Sequence, residues 1–309
     1  MSTIRLVRAP FVAVALATSA IALPTHAQTP PRTSWGDPDL QGVWNYGTMT
    51  PLERPAQWAG REVLSEEEAV AYQQQTVARR AEGLQTAGPD WWELENNVLR
   101  NRRTSLIVDP SDGRIPPLVN AGGRGRGGGR GGGRGGPRYD NPEDLSLQER
   151  CIAWPATGPP MMPTVYNNNV RIVQAPDYVV LVTEMIHNAR VVPMDGRPHD
   201  PRPSMYGDAR GHWEADTLVV ESFNFDGRLP FRGSGRSLRL VERFHRTSEG
   251  TLAYRFTVND STIWTRPWTV RIDMGRSEGL MYEFACHEGN ARSIAGILGG
   301  ARYEERNPR

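Results

Sequence analysis

RIVQAPDYVVLVTEMIHNARVVPMDGRP, residues 171–198, decides the fold. Three short runs rich in valine, isoleucine and tyrosine are separated by Pro176-Asp177 and by a polar bend at His187–Ala189, and the third ends in Asp195-Gly196. Runs of this length are too short for helices, and the turn residues between them favour hairpins, so the stretch predicts three antiparallel strands. The pattern continues downstream. GHWEADTLVVESFNFDGRLP, residues 211–230, reads as a hairpin, and residues 237–290 read as four strands with turns at Thr247–Gly250, Asn259–Thr262 and Gly275–Gly279. A meander of about eight strands must hide its edges. The expected fold is therefore mainly β: an antiparallel up-and-down barrel, or failing that a two-layer sandwich, with one or two peripheral helices.

Upstream the chain changes character. Ser65 with Glu68 forms a capping box, acids crowd the following turn, and Gly83 supplies a stop, so a helix is predicted over about 66–83 with a thin apolar stripe of Val70, Val77, Ala81 and Leu84. At the N-terminus Arg5 and Arg8 precede an apolar run from Phe11 to Leu23 that ends in Thr25-His26-Ala27. This has the form of a secretory signal peptide, 1–27, and the run is too short to span a bilayer. The expected location is thus periplasmic or secreted, with no integral membrane association. Cys151 and Cys286 are the two cysteines of the chain, and an oxidising compartment favours pairing them. The rest divides into an N-terminal segment, 28–120, a Gly/Arg-rich insert, 121–138, and a β-meander, 139–309, with 28–309 expected to form one globular domain.

The insert, AGGRGRGGGRGGGRGGPR, resembles an RNA-binding tail. Arginine, however, supplies all 36 basic residues, 35 acids balance them, and the formal net charge is +1. No global field draws a polyanion, and the insert lacks the aromatic residues on which single-strand binders stack bases. No nucleic-acid partner is expected, and the insert reads as a flexible surface loop.

Residues two apart in a strand share a face. Val180, Val182, Glu184 and Ile186 form one such set, Leu238, Leu240, Glu242 and Phe244 another, and Trp264, Arg266, Trp268, Val270 and Ile272 a third. Each places one ionisable group among core-type residues. A fourth strand carries Leu280, Tyr282, Phe284 and Cys286 and ends in His287, Glu288 and Asn290, while His187 and Arg190 flank the bend after Glu184. A lone buried carboxylate costs several kcal/mol unless paired. The constellation therefore points either to a buried structural ion pair of Glu242 with Arg266, or to a ligand cavity lined by Glu184, Glu242, Arg266, Trp264 and Trp268. In a cavity, Glu184 and Glu242 would be acid and base, His187 and His287 would assist, and Arg266, Trp264, Trp268, Arg190, Glu288 and Asn290 would bind ligand. Other chemistries lack a pattern. His187, His199, His212, His245 and His287 match no standard metal spacing, no nucleophile elbow or phosphate loop is present, and no cofactor or metal is expected.

DLQGVW, TPLERP, GPPMMPTVYNNN, EMIHNARVVPMDGRPH, GHWEADTLVVES, TRPWT and YEFACHEGN resemble a widespread uncharacterised family of secreted bacterial proteins. That resemblance covers nearly the whole chain after residue 27 and implies export without implying an activity. Gly42-Val43-Trp44 ahead of a meander also resembles the lipocalin-like calycin barrels, which implies a barrel. Two functions follow. One is an exported, cofactor-independent acid–base enzyme, a hydrolase, lyase or isomerase acting on a carbohydrate or plant-derived aromatic compound. The other is a non-catalytic periplasmic binding protein for such ligands.

Overall fold

Alternating burial marks the strands from end to end: the seven residues of Asn169–Ala175 alternate between inward and outward positions, and so do the ten of Arg239–Ser248. The computed structural model describes residues 31–84, 101–119, 139–164 and 166–307. The signal-peptide reading (1–27) and the Gly/Arg-rich insert (121–138) lie outside those residues. In chain order the elements are β1 (Gly42–Asn45), α1 (Glu66–Leu84), β2 (Ile107–Asp109), β3 (Asn169–Ala175), β4 (Tyr178–Thr183), β5 (Ala189–Pro193), β6 (Asp208–Glu214), β7 (Thr217–Phe223), β8 (Arg239–Ser248), β9 (Thr251–Asn259), β10 (Trp268–Ser277) and α2 (Asn290–Arg306).

The fold is mainly β, one antiparallel sheet ordered β5-β4-β3-β1-β10-β9-β8-β7-β6, with β2 pairing β10 beside this path. The sheet is not confined to residues 139–309, because β1 slots between β3 and β10, bringing Val43 opposite both Arg171 and Ser277. Strands next to each other along the chain pair from β3 to β5 and from β6 to β10, and β1 bridges the two groups; β5 and β6, consecutive in sequence, form no ladder, and the sheet has its seam between them. The strand count explains the seam. Nine strands alternating in direction leave the two edges running the same way, so an all-antiparallel ring cannot close. The edges nevertheless lie side by side: a Cβ at Gly211 of β6 would sit 2.4 Å from the Met194 sulfur and 2.9 Å from Val192 Cγ1. Glycine is what permits that approach.

Inside, one continuous apolar core runs through all nine strands of the path, with Trp44, Trp268, Tyr46, Tyr254, Phe244 and Phe256 fully buried. α1 lies apart on a small cluster of Trp58, Leu64 and Ala69. Its capping box forms as expected, the Glu68 amide donating to Ser65 Oγ (3.2 Å) and the Ser65 amide to Glu68 Oε2 (2.9 Å). Its inner face differs from the expected stripe. Ala69, Tyr72 and Thr76 turn inward at helical spacing, while Val70 is half exposed.

Two further expectations are corrected. Residues 280–286 form no strand; Leu280 and Tyr282 are about three-quarters exposed, and the chain goes on into α2. The core face of β4 is Val179, Leu181 and Thr183, so Val180 and Val182 point outward and Glu184 lies past the end of the strand. Cys151 and Cys286 are disulfide-bonded with Cα atoms 5.8 Å apart. No helix among the described residues is long and apolar enough to cross a membrane.

Candidate functional site

The structure separates the residues expected to share one cavity into three places. Glu242 is fully buried within the core, and its partner is not Arg266. Arg190 on β5 grips it with both guanidinium nitrogens, Nη2 at 3.0 Å from Oε1 and Nη1 on Oε2, and the Tyr254 hydroxyl donates to Oε1 at 2.7 Å. The Met161 amide in turn donates to the Tyr254 oxygen at 3.1 Å, which ties the GPPMMP segment to the core. Burial works against the Arg190 charge, but the Glu242 carboxylate more than offsets it and holds the guanidinium above its ordinary range. Burial first, then the Glu242 charge, pushes the Tyr254 hydroxyl well up. This network joins β5 to β8 across the open seam, which makes it a structural clamp. Trp264 and Trp268 are also core, with ring centroids 5.5 Å apart. Arg266 is on the outer surface, half exposed and paired with Asp109 at 2.7 Å. Arg266, Arg190 and the two indoles thus do not line a common space with Glu184.

The third place is the rim where β1 and β4 end and β3 begins. Asn45 donates from Nδ2 to Asn169 Oδ1 (3.1 Å), and Asn169 donates from Nδ2 to Glu184 Oε2 (2.8 Å). The relay is built by register, since Asn45 and Asn169 are paired neighbours of β1 and β3, while the Glu184 amide donates to the Asn169 carbonyl (2.9 Å). Tyr46 lies beneath it; burial, and secondarily the Glu184 charge, raises its hydroxyl far above the usual range.

After Glu184 the chain makes a turn that its residue types oppose. Ile186 has φ 61° and ψ 11°, and His187 has φ 39°. A β-branched residue in the left-handed region is strained by about 1–2 kcal/mol. The turn holds because Met185 and Ile186 are buried and the Thr183 amide donates to the Asn188 carbonyl (2.9 Å). Its outcome is an exposed His187 whose ring centroid lies 6.1 Å from that of His287, at 83° between planes. The disulfide fixes His287 from the adjoining residue. Phe284, Tyr166 and Trp154 continue the rim as an aromatic ledge with centroid spacings of 6.3 and 6.5 Å. Glu288 is exposed beside His287, whereas Asn290 opens α2 and donates to the Glu149 carbonyl at 3.0 Å, a tie between segments.

Of the residues singled out from sequence, Glu184, His187 and His287 are therefore brought to one rim, with Glu288 at its edge. Asn45, Tyr46, Asn169 and the strained turn were not anticipated; the run Asn167–Asn169 was the one signal available. Backbone strain of this kind concentrates at functional sites. Replacing His187 with glycine, which adopts a positive φ freely, is expected to leave stability unchanged or raise it by up to about 1 kcal/mol, read by urea denaturation. A loss of more than about 1 kcal/mol would mean that the imidazole holds the fold together. The chain matches no protein-family model, and comparison with curated proteins returns no significant relative.

Proposed function

We propose that the protein is an exported acid–base enzyme, a hydrolase, lyase or isomerase that needs no cofactor or metal and acts at this rim on a carbohydrate or plant-derived aromatic compound. The observation that carries the reading is the strained turn presenting His187 to His287 beside a carboxylate oriented by Asn169. Glu184 serves as acid or base, the imidazoles move a second proton, and the aromatic ledge stacks a flat ring or a sugar face. An imidazole can both donate and accept a proton, so two rings in edge-to-face contact suit passing a proton to or from a substrate bound beside them. The disulfide supports an oxidising compartment, and with it a periplasmic or secreted protein. Neither a nucleic-acid partner nor integral membrane association is part of the reading.

A second reading is a non-catalytic carrier for the same ligands, favoured by the ledge of Trp154, Tyr166 and Phe284, which suits binding as well as turnover. Either reading is tested by a thermal-shift screen of the purified protein against sugars, oligosaccharides and plant phenolics, with and without EDTA, alongside His187→Gln and His287→Gln. The expected result is a stabilising ligand whose effect survives the chelator and shrinks in both variants. A ligand response that both variants retain in full, or that EDTA abolishes, overturns the site.

A further inference from the structure

TPLERP, residues 50–55, plays no part in the rim, yet it places a charge where charges are seldom left. Arg54 is 5% exposed. Its guanidinium is held by neutral oxygens: Nε donates to Thr104 Oγ1 at 2.9 Å and Nη1 to the Ser111 carbonyl at 3.0 Å. Among the described residues no carboxylate pairs with it, and Nη2 has no protein partner. Three acids lie close by and none is paired with it: Glu53, next in sequence, accepts from the Ile115 amide (3.0 Å), and Glu62 and Asp112 line the same cleft as Arg54. Glu62 is engaged by Arg103 (3.1 Å), and Asp112 accepts from the Arg114 amide (3.0 Å). Taking a cation out of water without a counter-charge is unfavourable, so such a residue calls for an anion.

Space for that anion is present. Arg54 lines a cleft of about 530 Å³ whose walls include Pro55, Ala56, Gly60, Ser111 and Arg114. That volume is in the range of small-molecule sites and exceeds what a simple ion fills. Arg114 reaches back over the turn to donate to the Arg54 carbonyl at 3.2 Å, adding a second cation at the edge. The wall behind the guanidinium is fitted closely. Gly113, at φ 71°, lies against it so tightly that a Cβ there would be 3.1 Å from Arg54 Cζ and 2.4 Å from Ser105 Oγ.

We propose that this cleft is a second ligand site, selective for a small molecule bearing an oxyanion, carboxylate or phosphate, with Arg54 as the buried counter-charge and Arg114 at its mouth. A planar guanidinium with an unused nitrogen suits an oxyanion better than an ammonium does. The site stands whether or not the rim turns a substrate over.

Calorimetric titration of the whole protein with galacturonate, galactose 1-phosphate, inorganic phosphate and uncharged galactose tests it. Binding is expected for at least one of the two sugar anions and not for galactose; carboxylate and phosphate sources separate by which of these binds. Arg54→Lys keeps the charge but loses the fork and should weaken binding roughly tenfold or more. Should that variant misfold, Arg114→Gln, at the exposed edge, should weaken it several-fold, and Asp112→Asn should tighten it by removing a like charge. Absence of binding by every anion, equal binding of galactose, or affinities unmoved in the folded variants would overturn the proposal.

Discussion

Removing the disulfide by Cys151→Ser with Cys286→Ser is expected to lower the free energy of unfolding by about 4–5 kcal/mol. The bridged residues are 135 positions apart, so the link removes much of the freedom of the unfolded chain. That is a large share of the roughly 5–15 kcal/mol by which domains are stable. Both cysteines lie outside regular helices and strands, and Cys151 itself has φ 55°. The bond also anchors His287 opposite His187. Urea denaturation of the double variant, beside the wild type under oxidising conditions, reads the effect as a shift of midpoint. A loss below about 1 kcal/mol would show that the region around Cys286 opens independently of the core.

Glu242→Gln is the second large effect, about 3–5 kcal/mol of destabilisation. The amide keeps the shape of the carboxylate but leaves Arg190, buried on β5, without its counter-charge, and it weakens the acceptor of the Tyr254 hydroxyl. Since the clamp crosses the seam that nine strands cannot close by pairing, its loss should also speed amide exchange in β5 and β6. The double change Arg190→Met with Glu242→Leu removes both charges and should recover most of the loss, because a well-packed apolar pair is often as stable as a buried ion pair. A single variant costing less than 1 kcal/mol, or a double variant no better than the single, would refute the clamp.

The strands were legible because their alternation is strong and their turns carry Asp-Gly, Pro-Asp and Glu-Gly pairs. The inward face of β4 was not. Val179 to Val182 are all apolar, so a period of two has no phase to read, and a shift of one residue exchanges the faces. Residues 280–286 imitate a strand through Leu280, Tyr282 and Phe284, while α2 is disguised by Gly296, Gly299 and Gly300, which are poor helix formers. A charge on the inner face of β8 could be predicted, but not its partner. Arg190 is 52 residues away and meets Glu242 only because the sheet curls until its unpaired edges adjoin. The candidate site was half visible. Glu184, His187 and His287 stood out as residue types, whereas the Asn45–Asn169 relay arises from strand register, and the left-handed turn at Ile186-His187 contradicts the local preference of its own sequence.

The most direct measurement is product formation by wild-type protein and Glu184→Gln, incubated side by side with the ligand that stabilises the wild type and followed by mass spectrometry. Loss of a positioned acid or base should lower turnover by at least about 100-fold, while the ligand's dissociation constant stays within a few-fold of wild type. Equal turnover in the two proteins, or no product from the wild type with a ligand it binds tightly, would contradict an acid–base enzyme at this rim, and the second outcome would leave the carrier.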